Sequence, residues 1–438
     1  MLGISSIPPA LHKIKARLGP LGWGGALVFF SSRLGDIATL LYKFILGRHL
    51  STDDFGAFDP IFSFLAILAI PVTIIFQTGM KSLSRLDALG EAAHIRFLVG
   101  WLARIATVGS LLSLVLVFIF RNLLLSSLHL EAGWILVLIA GLSLLVWWEP
   151  LYGTILQGVR HYRLLILNSI INPTILIGVG VILIIGLRLG LRGALLARII
   201  TSLLSGAIVF YGLRQFWVGE RQTLDKQEWA LMRNQLLPMV LFTISITLLL
   251  HFDRLLVRNF LTAESGGYAV IVTLGSIPVY LIGSVIFVLF PLAAAEHARG
   301  QAIRTLYRQA LLAGGVIGLT AVVGLALFST RIIHLWNPVY LPYAGYVWLY
   351  AAAISLQGLI QIAATVEMAR NRYSFLIPLV PLTLLMCLIL YLGRNRWTLS
   401  EILWILILTR ALIFAGMAAF AYYFRPPPEQ NAPTGIQN

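Results

Sequence analysis

The stretch WGGALVFFSSRLGDIATLLYKFILGRHL, residues 23–50, decides how the rest of the chain is read. It is apolar over a length that crosses a bilayer, yet Arg33, Asp36 and Lys43 lie inside it. A charge at membrane depth costs roughly 2.5–3.5 kcal/mol on insertion scales, so such groups face protein or water rather than lipid. Ser32, Asp36, Thr39 and Lys43 are spaced four, three and four apart, which sets them on one face of a helix.

The composition extends that reading to the whole chain. Of 438 residues, 59% are hydrophobic and 11% charged, with a mean hydropathy of +0.90. Soluble domains are about 25% charged, so the expected fold class is an all-α polytopic membrane protein. The net charge of +15 does not point to nucleic acid, because no soluble segment is long enough to form a basic binding domain. Lone Cys387 lies in an apolar run, which excludes a disulfide within the chain and fits an inert thiol.

At about 20 apolar residues per span, twelve helices are expected, near 22–47, 56–80, 97–120, 134–157, 164–187, 191–213, 235–260, 269–294, 307–328, 343–366, 374–393 and 399–424. Eighteen of the 32 lysines and arginines then fall on the side shared by both termini, eight on the other, and six inside spans. Basic residues collect in cytoplasmic loops, so both termini are expected in the cytoplasm and the protein in the inner (cytoplasmic) membrane. The first twenty residues, with Lys13, Lys15, Arg17 and Pro8-Pro9, read as a short cytoplasmic arm rather than a cleaved signal. The divisions expected are a six-helix lobe over 1–213, a linker over 214–234 and a second six-helix lobe over 235–424. A polar, Pro-rich tail over 425–438 completes the chain, and its composition favours disorder. Trp217 and Trp229 suggest a linker lying along the membrane surface, with a solvated linker as the alternative.

A shift of 211 residues lays the seventh span over the first. Lys43 then meets Arg254, Ser51 meets Thr262, Asp53 meets Glu264 and Gly56 meets Gly267, while Ser32 meets Thr243 and Asp36 meets Thr247. Arg33 has no such counterpart, since Ile244 stands there. Two halves of six spans share one orientation, so they would be related by an axis along the membrane normal, with substrate between them. The repeated Asp/Glu-x-x-Gly turn is expected to use glycine for a backbone conformation closed to other residues. Thr243, Thr247, His251, Arg254 and Arg258 continue the theme as a second polar stripe at helical spacing.

Lys43, Arg254, Arg33, Arg104 and Arg198 are therefore candidates for a cationic substrate-binding surface. Ser32, Asp36, Thr39, Thr243, Thr247 and His251 form its polar stripes. Asp36, His251 and Glu149 are candidates for ion coupling. The competing reading is structural: Arg33 paired with Asp36 one turn away, Glu149 in an ion pair, Lys43 snorkelling to an interface. No metal-ligand cluster, phosphate loop or nucleophile with a base stands out, so no catalytic residue, metal or cofactor is expected.

The segments GRHLSTDDFGAF (47–58), FQTGMKSLSRL (76–86) and FPLAAAEHARG (290–300), set in a twelve-span layout, resemble the polysaccharide branch of the multidrug/oligosaccharidyl-lipid/polysaccharide exporter superfamily, the O-antigen and exopolysaccharide flippases. The resemblance implies two pseudo-symmetric lobes around a central cavity. Through it a polyprenyl-pyrophosphate-linked oligosaccharide would pass from the cytoplasmic to the outer leaflet by alternating access, driven by an ion gradient or the membrane potential. It implies a role in cell-surface polysaccharide biosynthesis, including lipopolysaccharide, alongside a glycan polymerase or other assembly proteins. Lys43 and Arg254 match the family's cavity cations by position. Arginine and lysine suit a multiply charged pyrophosphate. A drug–cation antiporter of the same superfamily would want cavity carboxylates, and here intramembrane cations outnumber acids. A membrane polymerase or ligase is disfavoured because no loop exceeds about twenty residues. A scramblase without gradient coupling is a further alternative.

Overall fold

The computed structural model describes residues 31, 33–130, 133–298, 304–370 and 372–423. Helix α1 covers 33–49, so Ser32 and the start of the first expected span lie outside the described residues, as does the tail from 424. Helix α2 (Thr52–Leu68) begins at Ser51, whose hydroxyl accepts the Asp54 N–H at 3.1 Å, with Asp53 and Asp54 in the first turn. Both features stabilise a helix start, where amide protons are unpaired and the dipole is positive. The following helix α3 (Ile70–Leu89) leaves α2 at a 55° bend. Pro71 causes it: proline lacks the N–H the preceding turn needs, and its ring crowds that turn.

Helix α4 (Ala92–Ile119) is followed by the short α5 (Arg121–Ser127), then by α6 (Gly133–Leu145) and α7 (Trp148–Gly158), two parts of one span interrupted ahead of Pro150. At the interruption Trp147 is buried. Its Nε1 donates to Ser113 Oγ at 2.8 Å, and its ring covers Gly109, where a Cβ would come within 2.3 Å. Helix α8 (Tyr162–Gly180) runs on through a wider π-turn (Val181–Gly186), and α9 (Gly190–Gly212) packs back along it.

The 214–234 stretch is partly helical. After the single turn α10 (Arg214–Trp217), the chain extends and re-enters α11 (Lys226–Phe260). Phe210 stacks on Trp217, Trp101 meets Trp229 edge-on, and Arg85 pairs with Glu228 at 3.1 Å. This segment is docked on α3, α4 and α9 rather than free of them. The remaining helices are α12 (Ser265–Gly275), α13 (Ile277–Ala298), α14 (Arg304–Trp336), α15 (Val347–Ala369), α16 (Leu376–Leu392) and α17 (Leu399–Tyr423).

Among the described residues nine helices are long and apolar enough to cross a membrane, the α2–α3 pair makes a tenth, and α16 is a shorter apolar helix. With α1, these coincide with the twelve expected spans. Large apolar side chains such as Val108, Leu112, Leu319 and Leu327 stand exposed along α4 and α14, as lipid-facing helices require. The protein is a multi-pass membrane protein.

The chain divides into two compact units, Met1–Leu274 with Phe328–Val347, and Gly275–Leu327 with Trp348–Asn438. The first has its core where Phe76, Leu83, Leu98, Leu102, Ile155 and Leu156 meet. It includes the end of α14 because Trp336 stacks on Phe44 and donates to the Phe44 carbonyl at 2.8 Å, over Gly47. The second unit is cored by Ile282, Leu289, Ala310, Ile362 and Val366. It also buries Arg410 completely, with Nε donating to Gln357 Oε1 at 3.3 Å and Nη1 to the Leu406 carbonyl.

Candidate functional site

Three helices of the first unit bring a set of charges together: α1, α2 and α11. Lys43 Nζ donates to Asp59 Oδ2 at 2.9 Å and lies 2.7 Å from Oδ1. Their side chains are 15% and 7% exposed, so the pair sits where water screens it little. One turn along α2, Ser63 gives its hydroxyl proton to the Asp59 carbonyl at 2.9 Å. The same oxygen lies 3.1 Å from His251 Nδ1. With its proton committed, Ser63 must accept, so His251 donates to it from Nδ1.

Arg254 follows one turn along α11 and acts electrostatically on both Lys43 and Asp59. With Asp59, Gly56, Ser265 and Tyr268 it lines a small cavity with room for about one water molecule. The neighbouring Asp253 is fully buried and accepts a hydrogen bond from the Tyr268 hydroxyl.

A second clasp lies four residues further along α11. Arg258 is completely buried and distributes its donors widely: Nε to the Leu128 carbonyl at 2.8 Å, Nη2 to the His129 carbonyl at 3.2 Å and Nη1 to Ser265 Oγ at 3.0 Å. The Asp53 carboxylate accepts at 2.6 and 3.3 Å. From sequence Arg258 ends the polar stripe of the seventh span, and Asp53 reads as a turn residue. The structure instead makes them partners. The paired glycines beside this clasp also differ from expectation. Neither Gly56 nor Gly267 has a positive φ; both are helical. Close approach is what requires them: a Cβ on Gly56 would lie 2.3 Å from Ser265 Oγ and 2.6 Å from the Gly266 nitrogen, and one on Gly267 would enter the Tyr343 ring. They let helices pack, and supply no special turn.

The other candidates are distributed elsewhere. Arg33 pairs with Asp36 at 2.7 Å within α1, and Thr39 bonds back to the Gly35 carbonyl. Arg198 pairs with Glu149 at 3.0 Å, and Ser202 also donates to that carboxylate. Arg104 is exposed on α4. Thr243 is buried and Thr247 half-buried on the α11 stripe. The cluster thus unites Lys43, Arg254 and His251 and leaves Arg33, Asp36, Arg104, Arg198 and Glu149 apart from it.

Asp59 is the residue that pattern reading passes over. It is the only charged residue between 56 and 80, a signal equal to that of Lys43, but it belongs to no helical stripe.

Residues 23–297 match the sequence profile of polysaccharide biosynthesis proteins. No curated protein matches the sequence. In fold, the chain is similar to an inward-facing multidrug resistance MATE transporter of the MOP superfamily, at 15% identity and a TM-score of 0.68, covering 91% of this chain and 100% of that one. An outward-facing MATE transporter of that superfamily gives 14%, 0.67, 91% and 94%. A MOP superfamily transporter from Pyrococcus furiosus, described as having a binding pocket of reverse polarity that suggests a different function, gives 15%, 0.59, 93% and 97%.

Proposed function

The chain belongs to the polysaccharide biosynthesis protein family, and from that premise we propose that it flips a polyprenyl-pyrophosphate-linked oligosaccharide from the cytoplasmic to the outer leaflet of the inner membrane. The observation that carries the reading is the half-buried Lys43–Asp59–Arg254 cluster in a chain otherwise built to sit in lipid. Two cations held in a low-dielectric bundle are costly to maintain, and a pyrophosphate is the kind of ligand that gives them a use. The hydroxyls of Thr243 and Thr247 offer hydrogen bonds suited to sugars.

Transport by alternating access fits a fold shared with inward- and outward-facing transporters. A drug–cation antiporter is the second reading, because the fold relatives include multidrug transporters. The reverse polarity ascribed to the Pyrococcus furiosus protein supports a fold that houses pockets of either sign, so fold does not decide between them. The two cations at Asp59 favour an anionic substrate. Both termini lie in the cytoplasm in this reading, a glycan polymerase takes up the flipped lipid, and Asp36, His251 or Glu149 couples the step to an ion gradient.

The test is made in the producing cell. Lys43→Ala and Arg254→Ala are expected to reduce surface glycan while the protein still inserts, with lipid-linked intermediate accumulating on the cytoplasmic leaflet. Normal glycan export in the double variant would reject the assignment, and export of a cationic dye without any glycan defect would favour the antiporter.

A further inference from the structure

We infer that Asp59 is an exchangeable counter-ion that reserves the Lys43–Arg254 site for multiply charged anions; this rests on the reading of that cluster as the head-group site. The geometry is that of a site holding a stand-in for its ligand. An anionic group with two oxygens already bridges Lys43 Nζ, at 2.7 and 2.9 Å, and that group is a side chain of the protein.

Two features make this carboxylate exchangeable rather than fixed. Ser63 holds Asp59 by its backbone carbonyl, whatever the carboxylate does. On its other side Asp59 lines a cavity that Arg254, Ser265 and Tyr268 also line, with space for about one water. A rotation of the side chain exchanges Lys43 for that cavity, so the carboxylate leaves one cation and stays beside another.

The consequence is a threshold on ligand charge. A neutral or singly charged group gains no more from Lys43 than Asp59 already does, and it must also leave Asp59 without its partner. A pyrophosphate brings charge for Lys43 and for Arg254 together, and releases Asp59 into the pocket it shares with Arg254. Asp59 therefore sets specificity without being the group that attracts substrate.

The experiment uses the full chain purified in lipid nanodiscs, with inorganic pyrophosphate as the multiply charged probe and dimethyl phosphate as the singly charged one. The wild type is expected to bind pyrophosphate and to ignore dimethyl phosphate. Asp59→Asn is expected to bind pyrophosphate about tenfold tighter and to gain dimethyl phosphate binding, since close charge pairs couple at that level or above. Asp59→Glu keeps the wild-type pattern, and Lys43→Met loses pyrophosphate binding. If Lys43→Met loses binding and Asp59→Asn gains none, the exchange is overturned and the head-group site stands. If neither the wild type nor any variant binds pyrophosphate, both fail. Should Asp59→Asn not fold, the wild-type infrared difference spectrum decides. A carboxylate band that shifts on adding pyrophosphate is expected, and its absence overturns the exchange.

Discussion

Replacing Arg258 by leucine is the sharpest test of how α11 is held. The guanidinium is fully buried and reaches the Leu128 and His129 carbonyls, Ser265 Oγ and the Asp53 carboxylate. Neutral hydrogen bonds contribute about 1 kcal/mol each and charged ones about 1.5–3, so the whole set is worth several kcal/mol. Leucine replaces the side-chain volume but leaves two carbonyls and a carboxylate without their donor. The expected loss is about 3–5 kcal/mol, the usual cost of removing one partner from a buried pair. Asp53→Asn should behave differently. That side chain is 65% exposed, so water takes over part of its role, and Arg258 keeps its other acceptors. Its expected cost is about 1 kcal/mol. The assay is equilibrium unfolding in mixed micelles, titrated with SDS and followed by circular dichroism. If Asp53→Asn costs as much as Arg258→Leu, the stabilisation lies in the ion pair and the distributed clasp is the wrong description. If Arg258→Leu unfolds within 1 kcal/mol of wild type, the clasp contributes little at all.

Two other outcomes follow from the same geometry. Gly266→Ala would place a Cβ 2.3 Å from the Thr52 carbonyl oxygen, a backbone atom that moves only with its helix, so a loss of about 1–3 kcal/mol is expected in the same titration. For the Glu149–Arg198 pair, whose side chains are 34% and 29% exposed, a double-mutant cycle with Glu149→Gln and Arg198→Met should give a favourable coupling of about 1 kcal/mol; strict additivity would show the pair to be energetically idle.

Hydropathy made the spans legible because lipid constrains every residue of a crossing helix in the same way. The helical stripe on α11 was legible for a related reason. His251, Arg254 and Arg258 share a face because the α-helix fixes their spacing, and that face does meet α2. What a polar face meets is set by tertiary packing, which periodicity does not encode. Asp59 lies sixteen residues from Lys43 across a helical hairpin, and nothing local joins them. Arg258 stands at the end of the stripe, where a charge usually reaches water; here the Leu128 and His129 carbonyls reach it first. The glycines at 56 and 267 recur in the repeat, and from sequence alone that reads as a demand on backbone conformation. The neighbouring helix that needs their missing side chains is invisible in one dimension.

Helix α11 is a lever with unequal arms. It runs as one helix from Lys226 to Phe260 with Pro238 inside it, tied near one end by Glu228 to Arg85 and near the other by Arg258 to Asp53. At 1.5 Å per residue, Glu228 lies about 45 Å from Arg258, whereas Arg254 lies only about 6 Å away. A tilt of about 10° around the Arg258 end would carry the Glu228 end some ~8 Å sideways while moving Arg254 by about 1 Å. A small tilt about the Arg258 end would therefore strain the Arg85–Glu228 contact long before it disturbed Arg254 beside Asp59.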